Sequence, residues 1–187
     1  MKPTRTLGGF TLVELMVTLA ILAVILGFGI PSFRYLVLSN TRSELANRYL
    51  GAFAYARSQA VNTRKIVGIC PLNSSNECHD NWDRPVSVFP DDNRDGHPDS
   101  DEVWSLLAGT KEGFSVHSRT AGTGSFHFGM DGMVYGGTGS LVICPNEVST
   151  AQMTYIAVSR GGRARSVTDD DGDGIITLSW GGKIVCP

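Results

Sequence analysis

The chain begins with a long apolar run and continues with shorter, differently patterned segments. From Phe10 to Ile30 there are 21 residues and a single charge, Glu14. At 1.5 Å per residue this run makes a helix of about 30 Å, the thickness of a bilayer core. Residues 1–9 form a polar leader with Lys2 and Arg5, which favours a cytoplasmic start and an outward crossing. The pattern therefore predicts a single membrane-spanning segment at residues 10–30.

Residues 31–63 continue the helix as an amphipathic segment. Gly27, Gly29 and Pro31 weaken the helix between its two halves. Beyond them, apolar residues recur at intervals of three to four positions, as on one face of a helix. The pattern predicts one helix from Phe10 to about Asn62 whose second half packs on a sheet through this apolar stripe: Leu38, Leu45, Tyr49, Phe53, Ala56 and Ala60.

Residues 64–187 have the texture of an antiparallel β domain, because Gly, Asp, Asn and Ser divide them into short runs of branched and aromatic residues. The fold class is therefore α+β, with a long N-terminal helix packed on a β-rich domain. Residues Trp180–Lys183 are typical of a two-residue hairpin turn. The predicted strands are Ile66–Cys70, Val86–Phe89, Val103–Leu107, Phe114–Ser118, Ser125–Phe128, Leu141–Cys144, Met153–Ser159, Ala164–Val167, Ile175–Trp180 and Lys183–Cys186.

Two ordinary interpretations of the apolar run fit poorly. A secretory signal peptide has its small-residue cleavage site after the apolar run, but here the small pair Gly8-Gly9 precedes it. A plain membrane anchor leaves Glu14 unexplained, since a carboxylate in hydrocarbon costs about 2.5–3.5 kcal/mol and usually has a partner.

The segment Gly9–Leu15, G-F-T-L-V-E-L, together with Pro31, resembles the class III signal of type IV pilins and type II secretion pseudopilins. The resemblance implies cleavage after Gly9 by the prepilin peptidase and N-methylation of Phe10. It also implies that Glu14 pairs with the terminal amine of a neighbouring subunit, which makes a buried charge tolerable. The β domain would then lie in the periplasm, below an inner-membrane anchor.

Four cysteines in an exported domain predict disulfides, since the compartment is oxidising. Cys70, Cys78, Cys144 and Cys186 allow three connectivities, among which sequence does not choose. The favoured pairs are Cys70–Cys78, which closes a short polar loop, and Cys144–Cys186, which ties the last strand to the sheet. A zinc site is disfavoured, because the chain has no C-x-x-C pair and its histidines are scattered.

Two acidic segments are candidates for calcium, and no other cofactor is expected. The first fits D-x-[DN]-x-[DN]-G-x5-E, with Gly96 at the sharp turn and oxygen ligands from Asp91, Asn93, Asp95, Asp99 and Glu102. The second, at residues 169–173, has acids at alternate positions but no acid at its end. Clusters of Asp, Asn and Gly also form ordinary solvated turns, which is the alternative at both places.

The segment Arg160–Arg165, R-G-G-R-A-R, is the basic feature of a chain whose net charge is −2. On one strand, Arg163 and Arg165 share a face, and paired guanidiniums suit phosphate. The segment resembles the G-R-x-R element of FimT-type minor pilins, which implies DNA contact through Gly162, Arg163 and Arg165. The acidic run at residues 169–173 departs from that pattern, and a solvated or subunit-contacting basic strand is the alternative. Arg160 is included in the candidate DNA-binding set, and neighbouring cations would extend the patch: Arg57, Arg64 and Lys65.

Further resemblance to the FimT/GspH branch of minor pilins lies at Phe126–Gly132 and at Ile69–Pro71, followed by Cys78 and Trp82. It implies a subunit that assembles into, or primes, a type IV pilus or a secretion pseudopilus, near the filament tip. An alternative is a secretion pseudopilin with no DNA role, and a more distant one is a calcium-binding adhesive module. An enzyme is not expected, because no nucleophile or zinc-protease pattern occurs.

Overall fold

The computed structural model describes residues 9–120, 124–147, 152–169 and 171–187. The leader predicted at residues 1–9 therefore lies, apart from Gly9, outside the described residues. The chain divides into two compact units, Met1–Val37 and Leu38–Pro187. Both core clusters are built entirely from residues of the second unit.

Helix α1 runs from Leu12 to Thr63, close to the predicted bounds. The hydroxyl oxygen of Thr11 accepts a hydrogen bond from the Glu14 N–H at 3.2 Å and so caps the first turn. The helix continues without interruption past Pro31, so the weakened stretch does not break it. Proline costs a helix one ladder hydrogen bond, which this long helix tolerates. After Thr63, Arg64 adopts a positive φ of 58°, a common way for a helix to end.

Eleven strands lie among the described residues that follow the helix. Each of the ten predicted strands overlaps one of them, and the additional strand is the two-residue β6. The strands are β1 Val67–Pro71, β2 Val86–Pro90, β3 Ser105–Leu107, β4 Phe114–Arg119, β5 Phe126–Phe128, β6 Val134–Tyr135, β7 Gly139–Pro145, β8 Thr154–Val158, β9 Ala164–Thr168, β10 Ile175–Thr177 and β11 Lys183–Val185.

The strands form three antiparallel groups. The first sheet has the order β3-β2-β1-β5-β6, the second sheet has the order β4-β7-β8-β9, and β10 and β11 form a two-stranded ribbon. A short 3-10 helix at Asp99–Asp101 interrupts the connection between β2 and β3. The ribbon pairs Thr177 with Lys183, so five residues connect its strands and the predicted two-residue turn is wrong.

The main core lies between the helix stripe and both sheets. Five of the six predicted stripe residues are buried, and the sixth, Leu38, packs against the cluster from its edge. The ring of Phe53 contacts Phe126 edge-on at 5.0 Å and stacks on Trp82 at 6.2 Å between centroids. The buried indole N–H of Trp82 donates to the Gly124 carbonyl at 3.0 Å. The stripe therefore acts as predicted, as the surface on which the β domain forms.

A second, smaller cluster lies between the ribbon and the other face of the second sheet, around Val142, Tyr155 and Ile184. The disulfide Cys144–Cys186 joins the two elements there. The disulfide Cys70–Cys78 closes the loop that follows β1. These are the two pairs that the sequence favoured, and the described residues include no free cysteine.

Candidate functional site

The first candidate site is the apolar surface of α1 in the first unit. Its large apolar side chains are exposed, from Phe10 at 85% to Val37 at 46%. The most apolar window of the helix has a mean hydropathy of 2.5, and none of it is buried. Within the described chain this is the one helix long and apolar enough to cross a membrane. A surface of this size requires lipid or other protein to cover it.

Glu14 lies in the first turn of this helix and is exposed. Its backbone N–H is bonded to Thr11, but its carboxylate has no hydrogen bond or ion pair with any residue that the structure describes. The helix N-terminus carries a partial positive charge that tolerates an acid there. The carboxylate is thus available to a partner from another chain.

The second candidate site is the hairpin that joins β8 to β9. Its turn is closed by the Ser159 N–H, which donates to the Arg163 carbonyl at 3.0 Å, and by the Gly162 N–H, which donates to the Ser159 carbonyl at 2.9 Å. Gly162 has a φ of 73°, the left-handed conformation typical of this three-residue loop. A Cβ atom at Gly162 would lie 1.9 Å from the Gly132 carbonyl oxygen. This glycine is therefore required by the turn and by its close packing.

The arginines of the hairpin are exposed and carry no described ion pair. Arg165 lies within β9 opposite Ala157, whereas Arg163 precedes the strand by one residue. Arg160 is exposed at the turn, and its carbonyl accepts the Val134 N–H at 2.9 Å. The acidic run begins at Asp169, at the other end of β9, about 20 Å from Arg163 at strand spacing. That separation limits the repulsion that the run would exert on a phosphate held at Arg163.

A groove of about 510 Å³ lies between α1 and this hairpin, and its lining includes Arg57, Ser58, Asn62 and Arg163. The Nε–H of Arg57 donates to the Gly132 carbonyl at 3.0 Å. Of the cations expected to extend the basic patch, Arg57 is brought to the hairpin, and the exposed Arg64 and Lys65 are absent from the groove lining. The sequence did not predict that Gly132 and Asn62 lie beside the hairpin, because nothing in their local sequence indicates this contact.

The loop after β2 carries the first set of predicted calcium ligands. Asp91 is fully buried, and its carboxylate accepts the Asp95 and Gly96 N–H groups at 3.1 Å and contacts His127 Nε2 at 2.8 Å. Among described acidic, histidine and cysteine side chains, only those of Asp169, Asp171 and Asp173 gather three ligand atoms within 4.8 Å. Asp91, Asp95, Asp99 and Glu102 do not bring three carboxylate oxygens within that distance of one another. Calcium at Asp91, Asn93, Asp95, Asp99 and Glu102 stays a prediction from the sequence.

The acidic run after β9 gathers its carboxylates more closely. Asp169 is buried, and its two oxygens accept the Gly172 and Gly174 N–H groups at 2.9 and 3.0 Å. These bonds to the backbone of the following loop satisfy both Asp169 oxygens without an ion. Calcium at this run remains a prediction from the sequence.

The pKa of Asp91 is set by opposing effects. Burial raises it, but the hydrogen bond and charge of His127 and the N–H groups of Gly96 and Asp95 lower it, and the net pKa lies below the ordinary value. A carboxyl whose pKa is lower in the folded state stabilises that state above its unfolded pKa. This stabilisation is lost as the pH falls through the folded pKa.

We expect Asp91→Asn to lower the free energy of unfolding of residues 38–187 by about 1–3 kcal/mol at pH 7, the usual effect of disrupting buried charge-assisted bonds. The difference from the parent should shrink as the pH falls below the ordinary aspartate pKa of about 3.9 and toward the lower pKa of folded Asp91. Urea unfolding across this pH range checks both statements. The exposed Asp101→Asn is the control, and an equal effect of both substitutions would contradict the role of Asp91.

Comparison with known proteins agrees with the fold described above. The model of the family "Type II transport protein GspH" matches residues 45–171, and the model of the prokaryotic N-terminal methylation motif matches residues 7–30. The type IV minor pilin FimU of Pseudomonas aeruginosa has a similar structure, with a TM-score of 0.53 and 19% identity over 67% of this chain and 87% of that chain. No curated protein sequence matches.

The minor pseudopilin EpsH of the Vibrio cholerae type 2 secretion system is also similar, with a TM-score of 0.50 and 11% identity over 69% of this chain and 98% of that chain. At these identities the likeness shows the fold alone. A long N-terminal helix followed by antiparallel sheets, with a methylation motif at its start, defines a type IV pilin-like subunit. The chain belongs to the GspH family, whose members are minor pilin or pseudopilin subunits.

Proposed function

We propose that the chain is first held in the inner membrane by its N-terminal helix and then transferred into a filament. The prepilin peptidase cleaves after Gly9, and Phe10 becomes the methylated N-terminus. The observation that carries this proposal is the unburied apolar surface of the first unit, with a mean hydropathy of 2.5. Lipid covers that surface before assembly, and the helices of neighbouring subunits cover it afterwards.

Glu14 sets the axial offset between neighbouring subunits of the filament. Its carboxylate has no described partner within the chain. An unpaired carboxylate among apolar helices is costly, and a terminal ammonium from an adjacent subunit supplies the missing charge. Only one axial offset between subunits brings the two groups together, so the pair selects that offset.

The filament is a type IV pilus or a type II secretion pseudopilus, and we place the chain near its tip as a subunit that primes assembly. The β domain lies on the periplasmic side of the membrane before assembly. The test is to shear filaments from cells and probe them for the chain. Recovery of the chain with the filament supports the proposal, and its restriction to the membrane fraction would overturn it.

The second candidate function is contact with DNA through Gly162, Arg163 and Arg165, with Arg160. It is favoured by the exposure of all three arginines without a described ion pair. Guanidiniums bind phosphate oxygens through paired hydrogen bonds, so the contact would not depend on base sequence. A subunit of a secretion pseudopilus with no DNA role is the alternative.

We expect the detergent-solubilised mature chain to bind a labelled DNA duplex with an affinity that falls steeply with salt. Replacing Arg163 and Arg165 together with alanine should weaken binding by about tenfold or more and reduce the salt slope by about 1.8, the value for two phosphate contacts. Fluorescence anisotropy measures both quantities. The control, Arg84→Ala with Lys183→Ala, removes the same charge elsewhere, and equal loss in both variants would contradict a local site.

A further inference from the structure

The groove between α1 and the β8–β9 hairpin is a built feature of the second unit. Gly132 and Gly162 allow the β5–β6 turn and the hairpin to approach closely, since a Cβ at Gly162 would overlap the Gly132 carbonyl. The Val134 N–H donates to the Arg160 carbonyl at 2.9 Å and joins the two turns. The hairpin is thus fixed beside the helix, with Arg163 and Arg57 lining one groove.

Arg57 is held in place by only one of its nitrogens. Its Nε–H donates to the Gly132 carbonyl at 3.0 Å, and a Cβ at either Gly132 or Gly162 would lie 3.0 Å from that Nε. The guanidinium therefore lies against both glycines. Its two Nη groups make no hydrogen bond with any described residue. A guanidinium fixed in this way presents a fork of donors with little further loss of conformational entropy on binding.

The groove around Arg57 suits an anion. The side chains of Ser58 and Asn62 line it, and the Asn62 amide donates to the Ser58 hydroxyl at 3.2 Å. No acidic residue is among those that line it. Asp131, next to Gly132 in the chain, has its Oδ1 atom bonded to the Met133 N–H at 2.9 Å. Apolar side chains complete the lining, from Leu50, Ala54, Val61 and Ala164. The two arginines and the polar side chains therefore favour an anion such as phosphate over a cation.

We propose that this groove holds the phosphates of one nucleic-acid strand, with Arg57 of the helix as a binding residue opposite Arg163 of the hairpin. The inference rests on the DNA contact proposed above and adds a second wall to that site. In this arrangement the nucleic-acid strand lies between α1 and the β8–β9 hairpin. Arg57 and Arg163 bind phosphates from opposite sides of the groove, and Arg165 binds another phosphate farther along β9.

The test uses the detergent-solubilised mature chain and a labelled duplex. We expect Arg57→Gln to weaken binding by about three- to tenfold and to reduce the salt slope by about 0.9, the value for one phosphate contact. Arg48→Gln is the matched control, because Arg48 lies on the same helix and likewise donates to a backbone carbonyl, that of Ala108, at 2.8 Å. Arg48→Gln should bind as the parent does.

A second variant distinguishes phosphate binding by Arg57 from a purely structural role of this residue. Ser58→Glu places an acid in the groove and leaves the bond between Arg57 and Gly132 intact, so we expect it to weaken binding at least as much at an unchanged melting temperature. If Arg57→Gln and Ser58→Glu both bind as the parent does while the Arg163 and Arg165 double variant loses binding, the inference is overturned and the proposed DNA contact stands. Absence of binding by the parent overturns both.

Discussion

Replacement of Glu14 with alanine is expected to leave cleavage after Gly9 intact and to eliminate the chain from sheared filaments. The peptidase acts before the apolar run, so loss of the carboxylate five residues later does not remove the cut bond. In the filament, however, the terminal amine of the adjacent subunit would lose its counter-charge in an apolar surrounding. An uncompensated buried charge costs about 3–5 kcal/mol, enough to prevent incorporation. Immunoblots of membrane and sheared fractions measure both outcomes.

The matched control for this substitution is Glu44→Ala. Glu44 lies on the same helix but is paired with Lys111 within the β domain. We expect Glu44→Ala to be processed and incorporated normally. Normal incorporation of Glu14→Ala would show that the carboxylate has no part in assembly.

Replacement of Phe53 with alanine is expected to lower the free energy of unfolding of residues 38–187 by about 3–5 kcal/mol, the usual cost of removing a buried ring. Phe53 is 1% exposed and joins the helix to the aromatic residues Trp82, Phe126 and Phe128. The neighbouring rings belong to separate elements and cannot all move in to fill the cavity. Urea unfolding followed by tryptophan fluorescence measures the change, since Trp82 lies beside the cavity.

Tyr55→Ala is the control, because Tyr55 is on the same helix but 37% exposed. Its substitution should cost about 1 kcal/mol or less, the range of surface changes. Comparable costs for the two substitutions would show that the helix stripe does not carry the core.

The helix and most strands were predictable because their signals are local. The three- to four-residue spacing from Leu45 to Ala60 specifies a buried stripe whatever it packs on. Short branched runs bounded by turn residues specify strands in the same way, and all ten were found. The strand β6, Val134–Tyr135, escaped because two residues show no alternation, and its pairing with β5 comes from the Gly129–Gly132 turn before it.

The sites that depend on distant contacts were harder to predict. The Asp91 motif matches a calcium loop in spacing. In the fold, however, the Asp91 carboxylate is hydrogen-bonded to His127, which is 36 residues away in the sequence. His127 lies between Phe126 and Phe128, and nothing near it in the sequence indicates its acidic partner. The contact of Gly162 with Gly132 likewise joins two turns from different sheets, so the groove beside Arg57 became visible only in three dimensions.

The central claim is that the chain is a processed filament subunit. The most direct measurement is the mass of the N-terminal peptide of the chain recovered from sheared filaments. We expect a peptide that begins at Phe10 and carries one additional methyl group. A chain in that fraction that begins at Met1, or that begins within or after the apolar run, would contradict it.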